Sequence, residues 1–156
     1  MTEVMQLFGA IQSSDETTIK SLLSSNPELA NAKDQRGFTP LVFAAYFDKE
    51  PLVKLFLEYG ARVDDKDASG NTALIGVAFK GNLPIVKTLI AHGADINAQN
   101  NTGLTALMFA AQYNKTESIK LLLKHKADTT LTDTSGLTAL DHARAKGYQE
   151  SVALLN

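Results

Sequence analysis

The sequence predicts an all-α solenoid of five helix-turn-helix units, joined by β-turn or hairpin-like loops. Three observations predict it. Four glycines, Gly37, Gly70, Gly103 and Gly136, stand 33 residues apart, and each is followed two positions later by a threonine, Thr39, Thr72, Thr105 and Thr138. The same spacing carries Asp34, Asp67, Asn100 and Asp133 upstream, and Leu41, Leu74, Leu107 and Leu140 downstream. A second mark, Asp48, Gly81, Asn114 and Gly147, keeps the same period. Self-similarity at a fixed spacing is the signature of stacked supersecondary units, none of which can bury its apolar face alone.

Each element follows from its residues. Asp-x-x-Gly-x-Thr is a polar turn in which the glycine suits positive φ and the threonine hydroxyl suits a helix N-cap. Pro40 fits the first helical position. The first helix of unit two is therefore expected over Leu41 to Phe47, with equivalents beginning at Leu74, Leu107 and Leu140. Small residues recur in phase, Ala44-Ala45, Val77-Ala78, Ala110-Ala111 and Ala143, and let neighbouring helices approach closely. The Asp48 column ends this helix, being made of residues that tolerate the left-handed conformation. Asp15 falls in the same column, and Ala30-Asn31-Ala32-Lys33-Asp34 echoes Ile96-Asn97-Ala98-Gln99-Asn100. The array thus extends backward into a first unit with no glycine signature.

The second helices carry apolar residues at helical spacing: Leu52-Val53 with Phe56-Leu57, Ile85-Val86 with Leu89-Ile90, and Ile119 with Leu122-Leu123. Gly60 and Gly93 stop two of them. Lys126 holds the third such position, where positive φ costs a non-glycine residue roughly 1 kcal/mol and an altered helix end is expected. Lys54, Lys87 and Lys120 form a column assigned to the solvated outer face. Phe43 and Phe109 flank Gly76 in another column, a large-small-large alternation that predicts interlocking core packing.

Gly37-Phe38-Thr39-Pro40-Leu41-Val42-Phe43-Ala44-Ala45 and Leu89-Ile90-Ala91-His92-Gly93-Ala94-Asp95-Ile96-Asn97-Ala98 resemble the ankyrin repeat, with its 33-residue period and Thr-Pro-Leu-His-x-Ala signature. The resemblance covers nearly the whole chain and is strongest from Asp34 to Asp133. Here the family's histidine is replaced by Val42, Ile75, Met108 and Asp141, and its proline by Ala73, Ala106 and Ala139. A side-chain hydrogen bond near the turn is therefore expected to be absent, with apolar packing in its place. The expected organisation is one ankyrin-repeat domain over 1–156: a capping repeat at 1–33, full repeats at 34–66, 67–99 and 100–132, and a capping repeat at 133–156. Asp141, His142 and Arg144 stand where unit two has Val42, Phe43 and Ala45, and six residues (Gln12, Ser13, Ser14, Ser21, Ser24 and Ser25) make unit one polar. Polar outer faces are what terminal repeats require.

Composition narrows the function. Fifteen basic against 17 acidic side chains leave a net charge of −2, which gives no long-range attraction for nucleic acid or an anionic membrane. With no cysteine, a disulfide framework and thiolate metal sites are excluded, and a reducing compartment is favoured. Met1-Thr2-Glu3-Val4-Met5 lacks the basic region and apolar run of a signal peptide, and no stretch approaches the ~20 apolar residues that span a bilayer. A cytoplasmic, monomeric protein without cofactor is expected. The sequons Asn100-Asn101-Thr102 and Asn114-Lys115-Thr116 carry little weight without a secretory signal.

Catalytic signatures are sparse. Asp141-His142 could suggest part of a hydrolase triad, but adjacent helical residues do not face each other. No Gly-x-Ser-x-Gly elbow, phosphate-binding glycine loop or His-Glu-x-x-His motif is present. His92 and His125 share one repeat position and would stack ~8–10 Å apart between backbones. A zinc ion needs ligand nitrogens at ~2.0–2.1 Å and further donors that the sequence does not place nearby. A metal-dependent enzyme is a remote alternative.

The family resemblance implies that a partner protein docks on a concave face made of turn tips and first helices. Mapped here, that face takes Gln35, Arg36, Phe38, Tyr46 and Phe47 from unit two. It takes Phe79 and Lys80 from unit three, beside Ala68, Ser69 and Asn71, and Asn101, Leu104, Gln112 and Tyr113 from unit four. The chain has seven Phe and four Tyr, and five of these aromatics fall at groove positions. Aromatic anchors accompanied by arginine are what protein interfaces enrich. The function expected is non-catalytic protein binding, with an inhibitor or immunity-like protein that blocks one enzyme as the alternative.

Overall fold

The computed structural model describes residues 1–156 as five consecutive helix pairs. These are α1 (Glu3–Ser13) with α2 (Glu16–Ser25), α3 (Pro40–Tyr46) with α4 (Glu50–Glu58), and α5 (Ala73–Ala78) with α6 (Leu83–Ala91). They continue with α7 (Ala106–Gln112) and α8 (Thr116–Lys124), then α9 (Ala139–Lys146) and α10 (Gln149–Leu155). A 3₁₀ turn at Pro27–Asn31 follows α2.

The predicted turn chemistry is present in every unit that carries the motif. Gly37, Gly70, Gly103 and Gly136 have φ of 86°, 79°, 79° and 78°. The hydroxyls of Thr39, Thr72, Thr105 and Thr138 accept the backbone N–H three residues on, at 3.1, 3.3, 3.2 and 3.2 Å. In each turn one Asp or Asn oxygen accepts two more N–H groups: Arg36 and Phe38 donate to Asp34, Ser69 and Asn71 to Asp67, Thr102 and Leu104 to Asn100, and Ser135 and Leu137 to Asp133. The Asn100 amide also donates to Asn71 Oδ1 at 2.9 Å.

Neighbouring turns pair edge to edge. Asn101 N–H donates to the Ser69 carbonyl and Thr134 N–H to the Thr102 carbonyl, both at 3.0 Å. A Cβ on Gly103 would sit 2.9 Å from the Asp133 backbone, so this glycine answers both to its φ and to the next turn. On the other side of the stack, Asn31 accepts from Arg62 N–H, Asp64 from Asp95 N–H and Asn97 from Asp128 N–H, at 2.8, 2.9 and 2.8 Å. Each of these bonds ties one unit to the next.

Ala44, Ala45, Val77, Ala78, Ala110, Ala111 and Ala143 are fully buried, which lets α3, α5, α7 and α9 lie close together. These first helices pack on each other more tightly than α4, α6 and α8 do, so the stack curves with its concave side toward the first helices and turns. Val42, Ile75 and Met108 are buried at the family's histidine position, as expected of apolar packing. In α9 Asp141 instead closes a capping box: Thr138 N–H donates to its carboxylate at 2.9 Å.

Three expectations need correction. In unit one the left-handed residue is Ser14, with φ 59°, and not Asp15. Asp15 instead caps α2, accepting from Thr18 N–H at 3.1 Å, so the first interval is one residue longer than the period. Lys126 does adopt positive φ, 65°, yet α8 ends as α6 does, with His125 matching His92 as the C-cap. The strain is accepted without altering the helix end. The Phe43, Gly76, Phe109 alternation does not interlock: Phe43 is core, Phe109 is only half-buried, and a Cβ on Gly76 would meet nothing within 4 Å. Lys54, Lys87 and Lys120 are exposed, as expected.

Replacing Lys126 by glycine removes that left-handed strain, so Lys126→Gly is expected to stabilise the fold by about 1 kcal/mol. In a thermal melt this is a rise of roughly 2–4 °C. A lower melting temperature would contradict the strain.

Candidate functional site

Eight aromatic rings run along the concave side as one connected ladder. Phe38 comes from the turn of unit two, Phe43 and Tyr46 from α3, and Phe47, Phe79 and Tyr113 are the C-cap residues of α3, α5 and α7. Phe109 lies within α7 and Phe8 within α1. Ring centroids are 5.3 Å apart for Phe8 and Phe43, 5.9 Å for Phe38 and Phe43, and 4.7 Å for Phe43 and Phe47. The ladder continues through Tyr46 with Phe47 at 5.2 Å, Tyr46 with Phe79 at 6.0 Å, Phe79 with Phe109 at 6.2 Å and Phe79 with Tyr113 at 5.2 Å. Such pairs stabilise one another by ~0.5–1.5 kcal/mol beyond burial, which holds the rings in place before any partner arrives. The ladder is core at Phe8 and Phe43 but surface at Tyr46, Phe47 and Tyr113, which are 40%, 49% and 52% exposed.

Two cations ride on it. The Arg36 guanidinium lies 5.1 Å from the Phe38 centroid and 5.2 Å from that of Phe43, with Nη2 2.6 Å from the Asp34 carboxylate. Lys80 Nζ lies 4.9 Å from the Tyr46 ring and 3.0 Å from Asp48, and donates to the Tyr46 carbonyl at the end of α3. Both geometries are cation–π contacts.

At Gly76 the missing side chain opens a pocket of about 210 Å³. Phe38, Tyr46, Phe79 and Phe109 wall it, and Asp67, Ser69 and Asn71 edge it. A larger cleft of about 510 Å³ separates α1 from the turn of unit two, with Met5, Phe8, Gln35 and Arg36 along it.

A family model described as ankyrin repeats (3 copies) matches residues 7–100 and 75–156. The chain belongs to the ankyrin-repeat family. Ankyrin repeats are generally protein–protein interaction modules and typically non-catalytic. No helix of this ankyrin chain is long and apolar enough to cross a membrane.

The ankyrin stack divides the sequence-predicted groove residues. Phe38, Tyr46 and Phe79 converge on the small pocket, with Tyr113 and Lys80 linked to its rings. Phe47 stands beside them toward unit one, while Gln35 and Arg36 line the larger cleft. Three others are tied to the scaffold. Asn101 donates from its side chain to the Ala68 carbonyl at 3.0 Å, Gln112 contacts His142 at 3.2 Å, and Leu104 is half-buried against the core. Sequence reasoning missed Phe109, Gly76 and Asp67 as pocket residues. A signal existed in the column Phe43, Gly76, Phe109, His142, where one unit lacks a ring.

His142 is part of this scaffold as well. The Gln112 side-chain amide lies 3.2 Å from Nδ1, and Nε2 lies 2.8 Å from the Asp133 carboxylate. Its partner is thus Asp133 across the turn rather than neighbouring Asp141, and both ring nitrogens are occupied. His92 and His125 are exposed, with His92 Nδ1 2.8 Å from the Thr88 carbonyl of its own helix.

Asp133 is held below the ordinary carboxylate range, first by the Leu137 N–H and then by His142 and the Ser135 N–H, against the opposing effect of burial. A folded-state pKa below the unfolded value gives stability that is present above the unfolded pKa and lost as pH falls through the folded one. The melting temperature is therefore expected to fall on acidification below about pH 4. Asp133→Asn keeps the turn acceptor, as Asn100 does, and should flatten part of that fall; an unchanged acid slope would contradict the assignment.

Proposed function

We propose that this chain is a non-catalytic binding module that captures one partner protein along its concave face, with Tyr46, Phe79 and Tyr113 as the anchors. The observation that carries this reading is the exposed half of the aromatic ladder. Two tyrosines and Phe47 remain substantially in water on a stack whose other large apolar residues are mostly packed away. Exposed contiguous apolar surface on a soluble fold marks an interaction site.

The rings are also pre-ordered. Each is restrained by edge-on or tilted packing against the next, so a partner that covers them loses little additional side-chain freedom. The partner engages a rigid surface, and the chain acts as a cytoplasmic monomer without a cofactor. Balanced charge and the lack of a basic stripe favour a protein partner over nucleic acid.

Replacing Tyr46, Phe79 and Tyr113 together by alanine is expected to weaken capture of the partner from native cytosol by roughly 30-fold or more, as loss of a hot-spot cluster does. Helicity by circular dichroism should be preserved, because the α3, α5 and α7 cores lie beneath these rings. Capture at wild-type strength by the folded triple variant would overturn the site.

A further inference from the structure

We infer that the pocket beside Gly76 receives a cationic side chain of the partner, an arginine guanidinium, stacked on the aromatic walls and paired with Asp67. This inference rests on the concave-face reading above and names the chemistry of what enters it.

Charge bookkeeping around the pocket leaves one carboxylate over. Arg36 is matched by Asp34 at 2.6 Å and Lys80 by Asp48 at 3.0 Å. Asp133, in the same column as Asp67, has His142 at 2.8 Å, and Asn100 carries no charge. Asp67 accepts Ser69 and Asn71 N–H groups on Oδ1, both at 2.9 Å, while no cation of the chain lies within 4.0 Å of its carboxylate. The adjacent Lys66 is turned to the Gln99 carbonyl at 2.9 Å. Asp67 is thus the one carboxylate of its column that no basic or imidazole side chain engages, and it stands at the edge of an aromatic pocket.

The pocket's size and walls select among occupants. About 210 Å³ admits a single side chain and excludes a helix or strand. An aliphatic side chain would desolvate Asp67 without replacing its lost water contacts, and an acidic one would be repelled. A guanidinium satisfies both surfaces: its plane stacks on the rings and its fork of N–H donors meets the carboxylate. The ladder already holds cations at 4.9 to 5.2 Å from ring centroids, so its faces accept positive charge.

The test is an NMR titration of the full chain with Nα-acetyl-L-arginine N-methylamide, beside its neutral citrulline counterpart and the lysine and glutamate analogues. The arginine probe should shift the amide signals of Ser69, Asn71 and Gly76 saturably, with citrulline about five-fold weaker or worse. Asp67→Asn keeps the turn, as Asn100 shows, and should reduce arginine to the citrulline response. Gly76→Val should fill the pocket and abolish the shifts while the chain still melts cooperatively. Equal response to arginine and citrulline, an unaffected Asp67→Asn variant, no shift with arginine, or a stronger response to lysine or glutamate would overturn the inference. Failure here with capture still lost in the triple aromatic variant refutes the arginine alone; retained capture in that variant refutes the groove itself.

Discussion

The Oδ1 atoms of Asp34, Asp67, Asn100 and Asp133 each accept two backbone N–H groups, at 2.9 to 3.0 Å, and these paired bonds give every inter-unit turn the same shape. The bonds satisfy donors that a tight polar turn would otherwise leave to water, and they place the glycine at positive φ just ahead of the threonine cap. From that cap the first helix starts in the same direction in each unit. The alanine pairs then meet face to face, and the spacing between units becomes the spacing between groove residues. An asparagine serves as well as an aspartate, because the turn uses an oxygen and not a charge.

Freed from the structural task, the charge on this column can do something else. Asp34 uses it to hold Arg36 over Phe38 and Phe43, and Asp133 uses it to fix His142. Asp67 has no such partner within the chain. Beside it Gly76 removes one ring from a column otherwise filled by Phe43, Phe109 and His142. A carboxylate with no basic partner and a missing side chain coincide in unit three.

What repeats was legible in the sequence, because a turn or cap is a local object whose residues lie within six positions. The glycine φ values, the threonine caps, the alanine packing and the left-handed residues at Asp48 and Asn114 all follow from local chemistry. The first unit was less legible: without a glycine to mark it, the column placed the left-handed residue on Asp15, whereas Asp15's carboxylate is better used capping α2. The site was legible by column but not by role. Asn101 and Gln112, placed by column on the face expected to meet a partner, also bond across to neighbouring units, through contacts between residues 30 or more apart in sequence. The gap at Gly76 was equally hidden, since two large residues flanking a small one read the same whether they close over it or leave it open.

Everything said of function depends on a partner lying against the first helices and turns rather than the second helices. Site-specific photo-crosslinking reads this directly: a benzophenone amino acid placed at Tyr113 on the concave side, or at the exposed Lys87 on the outer side, is irradiated in native cytosol. A discrete adduct from position 113, with none from position 87, is the result expected. The same adduct from position 87, with none from 113, would place the partner on the opposite face and contradict the account.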